Sequence, residues 1–185
     1  STGAIVGPDL TLHPSTGAPG LVRGRLFAGN VFPGRMSGIL RYTKVTTTNQ
    51  GGYGTFGLGC AGTLGVPGNR AVQQPRLGTT MNIEIDRLPL DTALFLLGSS
   101  RTASQFGPLP ISLTPIGASN CDVRVSLDVS VVVSGSAQHA LVPVAIPSTA
   151  TLVGMQFFTQ GLSLDFAANP LGLVASDAAA LMIGL

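Results

Sequence analysis

From Cys121 to Val133 the chain alternates: Val123, Val125, Leu127, Val129, Val131 and Val133 are separated by Asp122, Arg124, Ser126, Asp128 and Ser130. A two-residue period gathers these apolar residues on one face of a β-strand, whereas a helix would scatter them around its surface. The segment therefore predicts a long strand in a sheet with one buried face. Gly135-Ser136 reads as the turn that follows, and residues 138–146 as a strand returning beside it, with Pro143 tolerated on an edge.

Other segments repeat the signal. Residues 79–88 place Met81, Ile83 and Ile85 toward a core and Asn82, Glu84 and Asp86 away from it. Residues 93–97 form an apolar run between Asp91 and Gly98, as a covered strand would, and 111–113 resume as an edge segment after Pro108 and Pro110. Residues 151–159 predict a strand carrying Val153, Met155 and Phe157, and 163–166 and 180–183 read as closing strands, with one helical turn at 178–182 as the alternative. Residues 22–27 and 37–48 read as strands, preceded by an extended arm over 1–20 that is punctuated by Pro8, Pro14 and Pro19. Glycines crowd residues 49–60 too densely for a helix and predict a loop that continues to residue 70.

The principal boundary is placed near residue 50. Residues 1–50 form an extended arm with the first strands, a candidate intersubunit element, and residues 51–185 form the body. Roughly eight to ten strands without a long helix predict an all-β fold, a two-sheet sandwich or jelly-roll-like body with an extended N-terminal arm. The 25 glycines and 13 prolines have no three-residue period, which excludes collagen, and the plentiful leucine, valine and isoleucine argue against disorder.

Only 10% of residues are charged, with one lysine, one glutamate and no tryptophan. Serine and threonine supply much of the polar surface, a composition that predicts a secreted or cell-surface protein. No basic, apolar, small-residue signal peptide opens the sequence, and the Ser1-Thr2 start without an initiating methionine reads as one left by processing or by trimming of a longer chain. No run of eighteen apolar residues occurs, so no transmembrane helix is expected.

The net charge of +2 is unevenly spread: residues 1–50 hold Arg23, Arg25, Arg35, Arg41 and Lys44 against Asp9, whereas the remainder holds five arginines against seven acids. The arm can therefore meet an acidic face of a neighbouring copy. Sparse basic residues without a row of aromatics argue against nucleic acid as a partner.

Cys60 and Cys121 stand about sixty residues apart. Paired, they would stabilise the fold by roughly 4 kcal/mol through loop closure; unpaired, they would be ordinary buried thiols. Both readings are open on the residues alone.

Chemical motifs are absent: there is no Gly-x-Ser-x-Gly elbow, P-loop, His-Glu-x-x-His or EF-hand pattern. His13 and His139 have no companion at metal-ligand spacing. Glu84 and Asp86 share the polar face of one strand, which alternation explains without acid–base chemistry. Asp122 and Asp128 are read the same way; calcium is the one cofactor considered, and no four convergent oxygens can be assigned to it. No catalytic, cofactor or metal residue is assigned, and the chain reads as a non-enzyme. Tyr53 and Phe56, in the glycine-rich stretch, are the candidate ligand contacts for a glycan.

Several spaced elements are familiar together: Gly57-Leu-Gly-Cys-Ala-Gly-Thr-Leu-Gly-Val-Pro67, Pro75-Arg-Leu-Gly-Thr79, Leu94-Phe-Leu-Leu-Gly98, Gly117-Ala-Ser-Asn-Cys121, Ile146-Pro147 and Leu152-Val-Gly-Met-Gln-Phe-Phe-Thr-Gln160. Over roughly residues 54–166 the chain resembles a poorly characterised C-terminal module of large secreted or surface proteins of planctomycetes and myxobacteria. That resemblance implies an extracellular β-module without established catalytic residues, and it implies a disulfide between Cys60 and Cys121. It does not account for the first fifty residues.

These readings lead to an extracellular structural protein that self-assembles as a filament, sheath or surface layer. Its partners would be other copies of itself or cell-envelope proteins. Leu10 and Leu12, or the strand from Val22 to Phe27 with Arg23 and Arg25 setting charge register, are the candidate assembly residues. The rivals are a glycan- or envelope-binding adhesion module and an accessory domain of a secreted hydrolase.

Overall fold

A computed structural model describes residues 51–185 together with two earlier strands, Leu21–Leu26 and Met36–Arg41. The chain divides into two units, Ser1–Thr48 and Asn49–Leu185. In the first, β1 (Leu21–Leu26) pairs antiparallel with β2 (Met36–Arg41), Gly24 standing opposite Gly38. The expected strand at 37–48 is thus seen as far as Arg41, and its remainder lies outside the described residues.

The second unit continues with β3 (Gly52–Phe56), β4 (Asn69–Ala71), β5 (Thr80–Asp86), β6 (Thr92–Gly98), β7 (Ala103–Ser104), β8 (Gly107–Pro108) and β9 (Ile111–Ser112). It closes with β10 (Asp122–Val123), β11 (Val129–Ser134), β12 (His139–Ala145), β13 (Gln156–Leu164) and β14 (Leu173–Met182). All pairings between these strands are antiparallel. The fold is an all-β sandwich. Its two main sheets run β11-β6-β13-β14-β3 and β12-β5-β4.

The five-stranded sheet is the middle layer. On one side Phe95, Ala93 and Leu181 pack against Met81, Ile83 and Ile85 of β5 and Ala140 and Val142 of β12. Met81, Ile83 and Ile85 are fully buried, each contributing about 1.5–3 kcal/mol of apolar transfer energy. Gly161 of β13 permits this approach, since a Cβ there would lie 3.0 Å from the Ile85 side chain. On the other side, Leu96, Phe158, Leu162 and Val174 are covered by Cys60, Leu113, Ala118, Cys121, Val123 and Val125, which come from largely irregular chain. The Cys60–Cys121 disulfide, Cα–Cα 5.0 Å, is embedded in this third layer.

Several expected elements differ. The predicted strand from Cys121 to Val133 is divided: β10 pairs with β9, whereas β11 pairs with β6 in the main sheet. Between them, Arg124 N–H donates to Gln160 Oε1 at 2.8 Å and Ser126 N–H to the Ser100 carbonyl at 2.9 Å, so backbone donors find partners without a continuous ladder. Val123 at the end of β10 and Val125 beyond it remain buried, so the alternation continues past the end of the strand. After the turn, β12 does not return beside β11; it pairs with β5 in the facing sheet. Two further stretches read as loop are strands, β3 and β4, held by pairing with β14 and β5. Ala150–Leu152 is a short 3-10 helix, so the strand expected from 151 begins at Gln156 and runs on through 163–164 with a register shift between Gln160 and Leu162. Residues 178–182 belong to the ten-residue β14, not to a helical turn. Among the described residues, no helix is long and apolar enough to cross a membrane.

Candidate functional site

Each main sheet ends in two outer strands, and their sequences treat the exposed backbone differently. An outer strand presents unpaired N–H and C=O groups, which natural proteins commonly protect with short length, charge, proline or a covering segment. In the three-stranded sheet, β4 has three residues and carries Arg70, while β12 contains Pro143. In the five-stranded sheet, β3 is anchored through Tyr53. The remaining outer strand, β11, reads Val-Ser-Val-Val-Val-Ser and has no charge, proline or glycine.

β11 also projects beyond the covering layers. Val129 and Val131 are each 47% exposed and Val132 67%. Register explains this arrangement: Val131 is opposite Phe95 and Val132 opposite Leu94, so the two valines stand on opposite faces of the sheet. The alternating pattern assigns Val129 and Val131 to a buried face; the structure leaves both half open because β12 has turned into the other sheet. Val132 is the available signal, since a valine between Val131 and Val133 breaks the two-residue period.

Acidic groups frame this strand. Asp128, immediately before it, accepts hydrogen bonds from Ser99 N–H at 2.7 Å and Ser99 Oγ–H at 2.6 Å. The Ser99 hydroxyl and then its amide hold the Asp128 carboxyl below the ordinary carboxylate range. At the far end, Asp91 accepts from Gln138 N–H at 2.5 Å, and its carbonyl accepts from Gly135 N–H at 2.7 Å. Among the described residues, neither carboxylate is in a salt bridge.

The opposite edge is tied down. Tyr53 donates its hydroxyl to Asn69 Oδ1 at 2.7 Å and also meets Thr159 Oγ1 at 2.8 Å. Asn69 in turn donates to the carbonyls of Thr159 and Asp177 at 3.1 and 3.3 Å. Burial pushes the Tyr53 phenol pKa above its usual value, against the lowering influence of these hydrogen bonds. Tyr53, Thr55, Arg70, Gln73 and Gln74 border a shallow groove of about 470 Å³ between β3 and β4. Phe56 packs edge-on against Phe158 with centroids 6.0 Å apart, and the Arg101 guanidinium carbon lies 5.6 Å from its ring centre. The structure thus separates the two candidate ligand contacts: Tyr53 borders the groove, and Phe56 joins the disulfide-side core.

The remaining charged candidates are engaged with neighbours. Glu84 accepts from Arg70 Nε–H at 2.9 Å and meets His139 Nδ1 at 2.7 Å; the Arg70 hydrogen bond is the leading cause holding its carboxyl below the ordinary value. Asp86 accepts from Gly68 N–H, and Asp122 pairs with Arg124 at 2.8 Å. Buried Asp165 accepts from both Thr63 N–H and Thr63 Oγ–H, and Asp177 from Gly59 N–H. Asp86, Asp165 and Asp177 therefore fasten the glycine-rich chain after β3 by its amides, a role that composition alone did not reveal. Among the described residues, no three His, Cys, Asp or Glu side chains converge to share a metal ion.

Of the candidate assembly residues, Arg23 and Arg25 lie within β1, while Leu10, Leu12 and Phe27 fall outside the described residues. His13 is also outside them. In comparisons with known proteins, no family model, curated protein or solved structure matches the chain.

Proposed function

We propose that this chain is a non-enzymatic structural protein of the cell exterior that assembles with other copies by β-strand addition. The observation carrying this reading is the open edge of the five-stranded sheet: six uncharged residues of β11 with three exposed valines. Its setting supports the reading, because a body cross-linked between Cys60 and Cys121 provides a firm template and a structural disulfide suits an oxidising compartment. Repeated head-to-tail addition would give a filament, sheath or surface layer.

Electron microscopy of native material and light scattering of the full chain over a concentration series test the proposal. Repeating particles and a mass that rises with concentration are expected. A uniform monomer throughout, with no repeat in native material, would overturn it.

The groove bordered by Tyr53, Arg70, Gln73 and Gln74 favours a second reading, glycan recognition through amide and guanidinium hydrogen bonds. Saturable binding on a glycan array, lost in Gln73→Ala and Gln74→Ala, would favour that adhesion role over pure scaffolding.

A further inference from the structure

We infer that the groove between β3 and β4 takes an uncharged glycan, an oligosaccharide without carboxylate or sulfate groups, and that Glu84 enforces this choice by occupying Arg70. This deepens the glycan-recognition reading and rests on it. Among the described residues bordering the groove, Arg70 alone is charged. Its guanidinium is already engaged: Nε–H donates to Glu84 Oε2 at 2.9 Å, and Nη1 lies 3.5 Å from Asp86 Oδ2. Register places Glu84 for this task, directly opposite Arg70, while its other oxygen meets His139 Nδ1 of β12 at 2.7 Å. An anionic ligand reaching Arg70 would have to displace one carboxylate and lie close to a second, so the site selects against it.

Side-chain amides are what the groove offers instead. Gln73 Oε1 accepts from Asn82 N–H at 2.7 Å. A backbone amide can only donate, so this bond fixes which end of the Gln73 amide is oxygen and leaves Nε2 as a donor. Gln74 is exposed, and its amide makes no hydrogen bond among the described residues. Sugar hydroxyls both donate and accept, which matches a pair of amides. Val72, 53% exposed beside them, gives the C–H face of a sugar ring an apolar contact.

Tyr53 supplies a wall, not a binding hydroxyl. Its oxygen is committed to Asn69 and Thr159. The bond to Asn69 also ties β3 to β4 beside the groove, which favours a glycan over a peptide strand added between those edges. The volume of about 470 Å³ falls within the ~300–1,000 Å³ of small-ligand sites, room for a short oligosaccharide.

The test applies the full chain to an array of uncharged hexose and N-acetylhexosamine oligomers, acidic oligogalacturonates and sulfated oligomers. The strongest hit of each class is then titrated by calorimetry at low and high salt. Saturable binding of an uncharged oligomer, insensitive to salt, is expected. Gln73→Ala and Gln74→Ala should each weaken it roughly three- to tenfold, with the thermal transition of Gln74→Ala in place. Glu84→Gln releases Arg70 and should let oligogalacturonate bind with an affinity that falls as salt rises. An unaltered preference in Glu84→Gln would overturn the role given to Glu84, and uncharged-oligomer binding undiminished in both glutamine variants would overturn the groove as the site. A wild-type preference for acidic oligomers, weakening as salt rises, would overturn the uncharged assignment but leave glycan recognition standing. A full chain that binds no glycan of any class would overturn both.

Discussion

Tyr53 donates its hydroxyl to Asn69 Oδ1 at 2.7 Å, joining the last strand of the five-stranded sheet to the last strand of the facing one. Thr159 completes the contact from β13, so three strands across two layers share one buried polar knot. The knot holds one side of the sandwich closed, in contrast to the free valine strand on the other.

Tyr53→Phe should remove this donor and lower unfolding stability by about 1–2 kcal/mol, measurable by urea titration. The wild-type phenol also creates an alkaline dependence. Because its folded-state pKa is raised, its contribution is present below the ordinary value of 10.0 and is lost as pH rises from there through the folded value. The phenylalanine variant should lack this loss; identical alkaline profiles would contradict the assigned role.

Glu84 has the opposite sign. Its folded-state pKa is lowered first by the Arg70 hydrogen bond, so its contribution is present above the ordinary value of 4.5 and is lost as pH falls through the folded value. Acid titration should show wild type and Glu84→Gln converging below that window. Because Arg70 and His139 are substantially exposed, added salt should narrow the difference above it.

Asp165→Ala should cost about 1.5–3 kcal/mol, since it leaves Thr63 without its charged acceptor. The effect should be local as well as global. Hydrogen exchange at Thr63 should accelerate more than at Ile83, which lies in the sandwich core. Equal acceleration at both sites would show that Asp165 does not specifically fasten the glycine-rich chain.

Reducing the disulfide, or replacing both cysteines with serine, should lower stability by roughly 4 kcal/mol and the melting temperature by roughly 10–20 °C. Calorimetry provides the measure. Cys60 and Cys121 are buried against Val123, Val125 and Phe158, so the reduced protein should lose protection in that layer before β5.

The residues identify faces better than neighbours. Met81, Ile83 and Ile85 were legible as a buried row because alternation is local, and they form the centre of the inter-sheet core. Which strand would lie beside them was not legible, since pairing joins His139–Ala145 to Thr80–Asp86 across a long sequence interval. Val123 and Val125 keep their inward positions while Gln160 and Ser100 receive nearby amides, so periodicity survives where the ladder stops. Gly52 and Gly54 lower the local signal for a strand, but β14 supplies the pairing that overrides propensity. At the candidate site, the valines were visible and their exposure was not. Exposure depends on the transfer of β12 to another sheet, a nonlocal outcome that the period of β11 does not encode.

The pairing of Gly52 with Met182 also gives the body a mechanical character. Tension entering the chain before β3 and leaving it after β14 pulls on two adjacent strand ends from the same side. Such a load unzips their hydrogen bonds successively, from Gly52 toward Phe56, without shearing the whole pair at once. Release then reaches Cys60, where the covalent link to Cys121 halts further extension of the enclosed chain. The outer strand can therefore act as a tether of limited length, yielding under force while the cross-linked remainder keeps its grip.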